Sequence, residues 1–325
     1  MRIAIIGCGL IGQKRARTLD GQALAVCCDL DRSKAESLAA KTSGGSISTD
    51  WQSTVARDDV DVVIVCTTHN LLPEIAEAAA SHGKHVLIEK PGARRASELN
   101  AVREAANRSG ALVRVGFNHR YHRAFVKARQ IFESGVLEDL LFVRARYGHG
   151  GRPGYEKEWR ADPAISGGGE AIDQGMHLID LARWFLGDLK LTGGKAATYF
   201  WDMPVEDNAF LLLETAAHQV AFLHSGWTEW KNIFSFEIFG RMGKLEISGL
   251  GGSYGVETLR HYQMTPEMGP PPTTIYEYPM SDDSWEREFS EFMEDIRLRR
   301  QPRPGIEDAQ AALAIVESLY ATSKP

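Results

Sequence analysis

The chain opens on Met1-Arg2-Ile3-Ala4-Ile5-Ile6-Gly7-Cys8-Gly9-Leu10-Ile11-Gly12, an apolar run that passes straight into glycines at the G-x-G-x-x-G spacing. An unbroken run of isoleucine and alanine suits a strand buried on both faces of a parallel sheet. The spacing then predicts a strand, a loop and a helix. Gly7 permits the tight turn, Gly9 lets backbone approach a pyrophosphate, and Gly12 lets the helix that Leu10 and Ile11 begin lie close to the strand. The first N–H groups of that helix favour phosphate charge, so a dinucleotide cofactor is implied.

Three glycines at this spacing also occur in ordinary loops, so the surroundings decide. Ala23 to Cys28 reads as a second buried strand and ends on Asp29, followed by Leu30. An acid about twenty residues past the loop accepts the ribose hydroxyls of NAD. The competing role for Asp29, a helix N-cap, falls to Asp31, which precedes a helical segment from Arg32 to Lys41. NAD is therefore expected in preference to NADP, with Arg32 the side chain that would partner a 2′-phosphate.

At 325 residues the chain has length for two domains. A net charge of −6 gives no general attraction to nucleic acid or to an anionic membrane. Cys8, Cys27, Cys28 and Cys66 lie in or beside apolar strand-like runs with no C-x-x-C pair, which reads as core packing rather than a zinc site or disulfide framework. His82 with His85 and His119 with His122 have ligand-like spacing. Lacking acidic or thiol neighbours, they read as surface or packing histidines, and no metal is expected. With a strand at residue 2 there is no room for a secretion signal, and no apolar run is long enough to cross a bilayer, so the cytoplasm is the expected compartment.

Strand and helix continue to alternate: a short strand near Ser46, Asp61 to Cys66, a helix from Leu71 to Ser81, a strand from His85 to Ile88, a helix from Ala96 to Ser109 and a strand from Ala111 to Gly116. This predicts a doubly wound domain over residues 1–118. Beyond it, strands at Leu140 to Tyr147, Phe210 to Glu214, Val220 to Ser225, Phe234 to Phe239 and Lys244 to Ile247 predict an α+β domain over 119–325 with a large, open, mostly antiparallel sheet. The stretch 266–272 holds four prolines and reads as a surface loop. Helices are predicted at Ser284 to Arg299 and Glu307 to Ser323, the last able to pack back on the first domain.

Two further constellations carry chemistry. The strand at His85 ends on Glu89-Lys90-Pro91, and ligands bind at the carboxyl ends of strands in a doubly wound sheet, where Lys90 can share a proton with a substrate hydroxyl. The second runs from Gly167-Gly168-Gly169 through Glu170 to Phe185, with apolar residues at helical spacing from Ala171. Asp173, His177 and Asp180 share one face of that helix, and the glycines let backbone or ligand come close. An imidazole flanked by carboxylates can accept a proton near neutral pH. The plain alternatives are a solvated Glu-Lys pair, and a helix whose polar face is simply wet or whose histidine is a satisfied core residue.

Taken together and in order, these elements resemble the glucose-fructose oxidoreductase and inositol dehydrogenase (Gfo/Idh/MocA) family over nearly the whole chain. The family's Glu-Lys-Pro is present as Glu89-Lys90-Pro91. Its glycines followed by Asp-x-Gly-x-His-x-x-Asp are present from Gly167 to Asp180, and Val115-Gly116-Phe117-Asn118 is similar to its crossing between domains. The resemblance implies a nicotinamide cofactor on the first domain, a substrate on the open sheet of the second, and catalytic roles for Lys90, Asp173 and His177. It also implies cofactor contacts from Thr67, Thr68, Asn70, Glu89, Lys90 and Asn118. The loop after the fourth strand departs from the family's Thr-Pro-Asn-x-x-His, reading Thr67-Thr68-His69-Asn70-Leu71-Leu72, although Thr67 and Asn70 keep donors and acceptors.

The expected activity is NAD-dependent hydride transfer between nicotinamide and a secondary hydroxyl or ketone of a sugar, nucleotide-sugar or cyclitol. His177 is expected as general base, Asp173 as its orienting group, and Lys90 to polarise the same oxygen. A redox-assisted glycosidase and a cofactor-binding regulator without turnover are the alternatives. Arg144, Arg146, Arg152 and Arg160, interleaved with Tyr147, Tyr155 and Trp159, lead into the catalytic helix. If they line the cleft, with Tyr147, Trp159 and Arg160 on the substrate, they favour an anionic sugar; the other reading is a solvated basic loop. An open sheet with alternate apolar residues further predicts a homodimer or homotetramer.

Overall fold

Apolar runs and helix-forming segments alternate through the first part of the chain, and they do so in the computed structural model, which describes residues 1–19, 21–42, 44–267 and 269–323. The order is β1 (Arg2–Ile6), α1 (Leu10–Ala16), β2 (Ala23–Cys28), α2 (Arg32–Lys41), β3 (Ser46–Ser48), α3 (Trp51–Val55), β4 (Val62–Val65), α4 (Leu72–Ser81), β5 (His85–Glu89), α5 (Leu99–Ser109) and β6 (Val113–Gly116). All pairings are parallel, in the order β3-β2-β1-β4-β5-β6. The order reverses between β1 and β4, and such a reversal opens a crevice at the strands' carboxyl ends. The glycine loop leaves β1 there and the loop 66–71 leaves β4 there. Asp31 caps α2 by accepting from the Ser33 N–H, the role its sequence position predicts.

The second sheet follows α6 (Arg123–Glu133). Its strands are β7 (Leu140–Gly148) and, after α7 (Pro163–Ser166), a π-helical turn (Ala171–Gly175) and α8 (Met176–Leu186), β8 (Lys190–Ala197), β9 (Asn208–Glu214), β10 (Val220–Gly226), β11 (Ile233–Gly240), β12 (Gly243–Ser248), β13 (Glu257–Gln263) and β14 (Thr273–Tyr278). The order is β14-β13-β12-β11-β7-β10-β9-β8, antiparallel except for β7 with β10. The expected fold class, a doubly wound parallel sheet with an open, mostly antiparallel one, is the fold observed. The chain closes with α9 (Ser284–Leu298) and α10 (Ile306–Thr322).

The division of the chain differs from the expected 1–118 and 119–325. One unit comprises Met1–Phe117, Ala164–Gly167 and Trp285–Leu313; the other comprises Asn118–Pro163, Gly168–Ser284 and the chain from Ala314. The reason is apolar. Phe289, Phe292 and Ile296 of α9 join Ile3, Ile5, Ile64 and Leu87 in one core, so α9 belongs with the parallel sheet. Within 266–272, Met268 lies outside the described residues; the other positions lie between β13 and β14 and take no strand pairing.

A buried ion cluster backs the parallel sheet. Arg15 of α1 donates from Nε to Glu89 at 2.6 Å, reaches Glu288 of α9 at 2.7 Å, and stacks its guanidinium 4.4 Å from the Trp285 ring. Burial pushes the Glu288 carboxyl up, opposed by Arg15. Arg15→Met would leave two buried carboxylates without their cation and is expected to destabilise the protein by about 3–5 kcal/mol. Urea unfolding checks this, and an unchanged midpoint would show that the cluster holds nothing in place.

Candidate active site

In the parallel-sheet unit the glycine loop has the shape that a dinucleotide requires. A Cβ on Gly12 would lie 2.0 Å from the Gly7 carbonyl oxygen, so the close approach of α1 to the loop excludes any side chain there. A Cβ on Gly9 would meet nothing within 4 Å, which leaves open space for a phosphate against the backbone. No side chain caps α1. Asp29 is pinned beside the loop by two backbone donors, Cys8 N–H to Oδ2 at 2.8 Å and Asp31 N–H to Oδ1 at 2.9 Å. Its carboxylate oxygens retain lone pairs for ribose hydroxyls. Leu10 and Leu30 stand 73% and 76% exposed, an apolar cost that an adenosine would offset. These residues fit the cofactor: Gly7, Gly9 and Gly12 for the pyrophosphate, Asp29 for ribose, Leu10 and Leu30 for apolar contact, with Ile11 half-buried in α1.

The loop after β4 comes from the same end of the sheet. Thr68 Oγ1 donates to Asn70 Oδ1 at 2.7 Å, and the backbone at Cys66 and Thr67 packs on Gly7. His69, at the family's departure, is buried with its ring 2.8 Å from the Ser166 carbonyl oxygen. Glu89 and Lys90 separate in role. Glu89 is buried and committed to Arg15, so its contribution is to hold the end of β5, whereas Lys90 is half-buried at the strand's end.

The sheet-bearing unit carries the second set. Glu206 accepts from the Gly169 and Ala171 N–H groups, both at 3.0 Å, and from the Tyr320 hydroxyl at 2.7 Å. This seats the turn on which Asp173 stands, one residue from Gln174 and four before His177. The turn is π-helical, where the apolar spacing predicted a regular helix from Ala171. Asp180, the third acid on the predicted face, is taken by Arg120 in a bidentate pair at 2.6 and 2.8 Å and is fully buried.

Asp173 pairs with Arg160 at 3.3 Å, and Arg160 also reaches Glu158 at 3.7 Å and stacks 4.5 Å from the Trp159 ring. Burial alone would lower the Arg160 pKa, but Asp173, Tyr155 and Glu158 outweigh it and hold it above its ordinary value. Tyr147 lies on the covered face of β7 with Val143 and Ala145, while Arg144 and Arg146 point to the exposed face. The basic segment is therefore split by the pleat. Arg144 pairs with Glu237 and Arg152 with Glu158, so these guanidiniums, like Arg160, meet carboxylates of the protein itself. Burial pushes the Tyr147 hydroxyl well up and that of Tyr254, its neighbour at 5.2 Å, to about 12. Both stay protonated donors across the working pH range.

Sequence reasoning missed part of this set. His119 and His122 are buried, in line with the packing half of the surface-or-packing reading, but His119 also stacks on His177 with ring centroids 3.6 Å apart, which the sequence did not suggest. Asn118, expected at the cofactor, donates to Ser284 Oγ at 2.9 Å and lies 3.2 Å from the His119 ring. The one signal for His119 was its ligand-like spacing with His122; Tyr254, Glu206 and Tyr320 carry no local signal at all. Chemically, the arrangement gives a buried imidazole stacked on a second one, a carboxylate four residues earlier in the chain that is paired with Arg160, and two phenols that remain neutral.

A family model described as an oxidoreductase family with an NAD-binding Rossmann fold matches residues 1–117. A second, the GFO/IDH/MocA C-terminal domain, matches residues 125–246. Inositol 2-dehydrogenase 2 of Saccharopolyspora erythraea is 32% identical over 228 residues, 66% of this chain and 63% of that protein. Levoglucosan dehydrogenase of Pseudarthrobacter phenanthrenivorans is 33% identical over 159 residues, 48% of this chain and 41% of its own. The aligned segments thus span less than two thirds of either relative. Among solved structures, a levoglucosan dehydrogenase in complex with NADH has the same fold, with a TM-score of 0.88 at 22% identity over 99% of this chain and 98% of its own. With one family model over its parallel-sheet unit and the other over much of its second sheet, the chain belongs to the Gfo/Idh/MocA family of oxidoreductases.

Proposed function

We propose that the protein is an NAD-dependent dehydrogenase that oxidises a secondary hydroxyl of a sugar or cyclitol, or reduces the matching ketone. The observation that carries this reading is the placing of His177 one turn beyond Asp173, whose carboxylate is held by Arg160. When bound, the nicotinamide supplies the hydride acceptor or donor. The chain's own residues handle the proton: His177 takes it from the hydroxyl, Asp173 orients the imidazole, and Lys90 donates a hydrogen bond to the substrate oxygen. The half-buried Trp159 offers ring surface to a sugar, and Tyr147, packed against Tyr254, its hydroxyl. The relatives named for inositol and levoglucosan support a hydroxyl-rich substrate. Pairing of Arg144, Arg152 and Arg160 within the protein supports a neutral one over the anionic sugar that the arginines alone suggest.

Incubation with NAD and a panel of sugars and cyclitols is expected to accumulate NADH. His177→Asn should lower kcat by about 10²–10⁴-fold while NAD affinity measured calorimetrically is retained. Unaltered turnover in that variant would remove His177 from the chemistry, and product formed without net NADH would point to redox-assisted glycoside cleavage.

Asp29 supports NAD over NADP by like-charge repulsion of a 2′-phosphate, and Arg32 is engaged by Glu36 at 2.8 Å. Titration should show tighter NAD binding, with Asp29→Ala narrowing the gap; equal affinities in the unaltered protein would contradict the assignment.

The exposed face of the second sheet carries Phe142, Leu212, Phe222 and Ile275 at 37–54% exposure, and Arg144, Glu237, Glu246 and Arg260 lie in cross-strand register on it. Such a face supports burial against a second copy. Light scattering at micromolar concentration is expected to report a dimer or tetramer, and a monomer would leave the face uncovered. The four free thiols suit a reducing, cytoplasmic setting.

A further inference from the structure

His119 stands on a short 3₁₀ turn, Asn118–Tyr121, that precedes α6. Its ring lies on that of His177 with centroids 3.6 Å apart and planes 17° from parallel, and both side chains are buried. The ring is fixed from its edge as well. The Asn118 amide nitrogen donates to Ser284 Oγ at 2.9 Å, which turns Asn118 Oδ1 to His119 Nδ1 at 3.2 Å and makes that nitrogen the N–H donor.

An imidazolium over a neutral aromatic face is attracted to it, whereas two imidazoliums at this spacing repel strongly. Stacked rings therefore take a first proton more readily than either ring would in the same buried place without its partner, and a second less readily, and titrate as a pair. We propose that His119 and His177 act as one base, with His119 a positioning residue whose ring face stabilises the imidazolium formed when His177 accepts the substrate's proton. The inference rests on the reading of His177 as proton acceptor.

The rings meet Tyr147 from β7 at 5.3 Å, with Tyr254 beyond it, and His122 edge-on at 5.4 Å, with Glu257 and Asp282 behind it; the neighbouring charges on the same elements are the Arg120–Asp180 and Arg160–Asp173 pairs and Glu170, the last two carboxylates acting on Tyr147. The two tyrosines keep their protons throughout the range, since burial holds both up.

Two substitutions separate face from charge. His119→Leu removes both the aromatic face and the second titration; His119→Phe keeps the face and removes only the titration. Histidine NMR titration of the whole protein is expected to give His177 two steps in the unaltered chain. In His119→Leu it should give one step lying between them, the upper one lost by a shift of about one pH unit, and in His119→Phe one step close to the original upper value. The acid limb of kcat/KM should follow, moving down in His119→Leu and recovering in His119→Phe. A His177 titration identical in all three proteins, or His119→Phe behaving as His119→Leu, would overturn the proposal. A titration that shifts as described while the acid limb stays put would instead remove His177 as the base.

Discussion

The buried carboxylate of Glu206 is the contact on which the positions of Asp173 and His177 depend. It accepts from two N–H groups at the start of their helix, where carboxylate charge is favoured by the helix dipole, and from Tyr320 of α10. Burial raises its pKa, and these donors act to lower it again. The approach is so close that a Cβ on Gly169 would lie 1.9 Å from the Glu206 carbonyl oxygen and one on Gly168 2.0 Å from the Tyr320 hydroxyl. The glycine triplet thus serves a protein contact, and through it sets where the π-helical turn puts its acid.

The parallel-sheet unit uses the same device. Arg15 binds Glu89 and Glu288 behind the carboxyl end of β5, so the residue before Lys90 is fixed by a buried ion pair. A buried pair of this kind contributes little net stability compared with apolar packing, but breaking it is costly, which makes it a good way to fix one geometry. In both units a charged group out of contact with water holds the element that presents the chemical one.

The parts legible in the sequence are those whose constraint is local. The strand, glycine loop and helix with Asp29 obey spacing rules within about thirty residues, and the strands β7, β9, β10, β11 and β12 read from their own apolar runs. By contrast β8 holds Gly193 and Gly194 and lies at a sheet edge, as β14 does with its threonines, so neither has a buried face to leave a pattern. The placement of α9 rests on three apolar side chains meeting a core nearly three hundred residues earlier, which no local window records. His119 was visible only as half of a spacing pair with His122. Its meaning comes from a stack with a residue on another element, and Arg160, read as a ligand for substrate charge, is committed to Asp173 by the same kind of distant contact.

If hydride leaves a hydroxyl-bearing carbon for the nicotinamide, as proposed, an isotope placed on that carbon follows it. A sugar or cyclitol that the protein turns over, deuterated at the carbon to be oxidised, is incubated with NAD and the cofactor recovered for mass spectrometry. Direct transfer gives NADH heavier by one mass unit, with the deuterium gone from the ketone product. Deuterium that appears in water or remains in the product, with unlabelled cofactor, would contradict it.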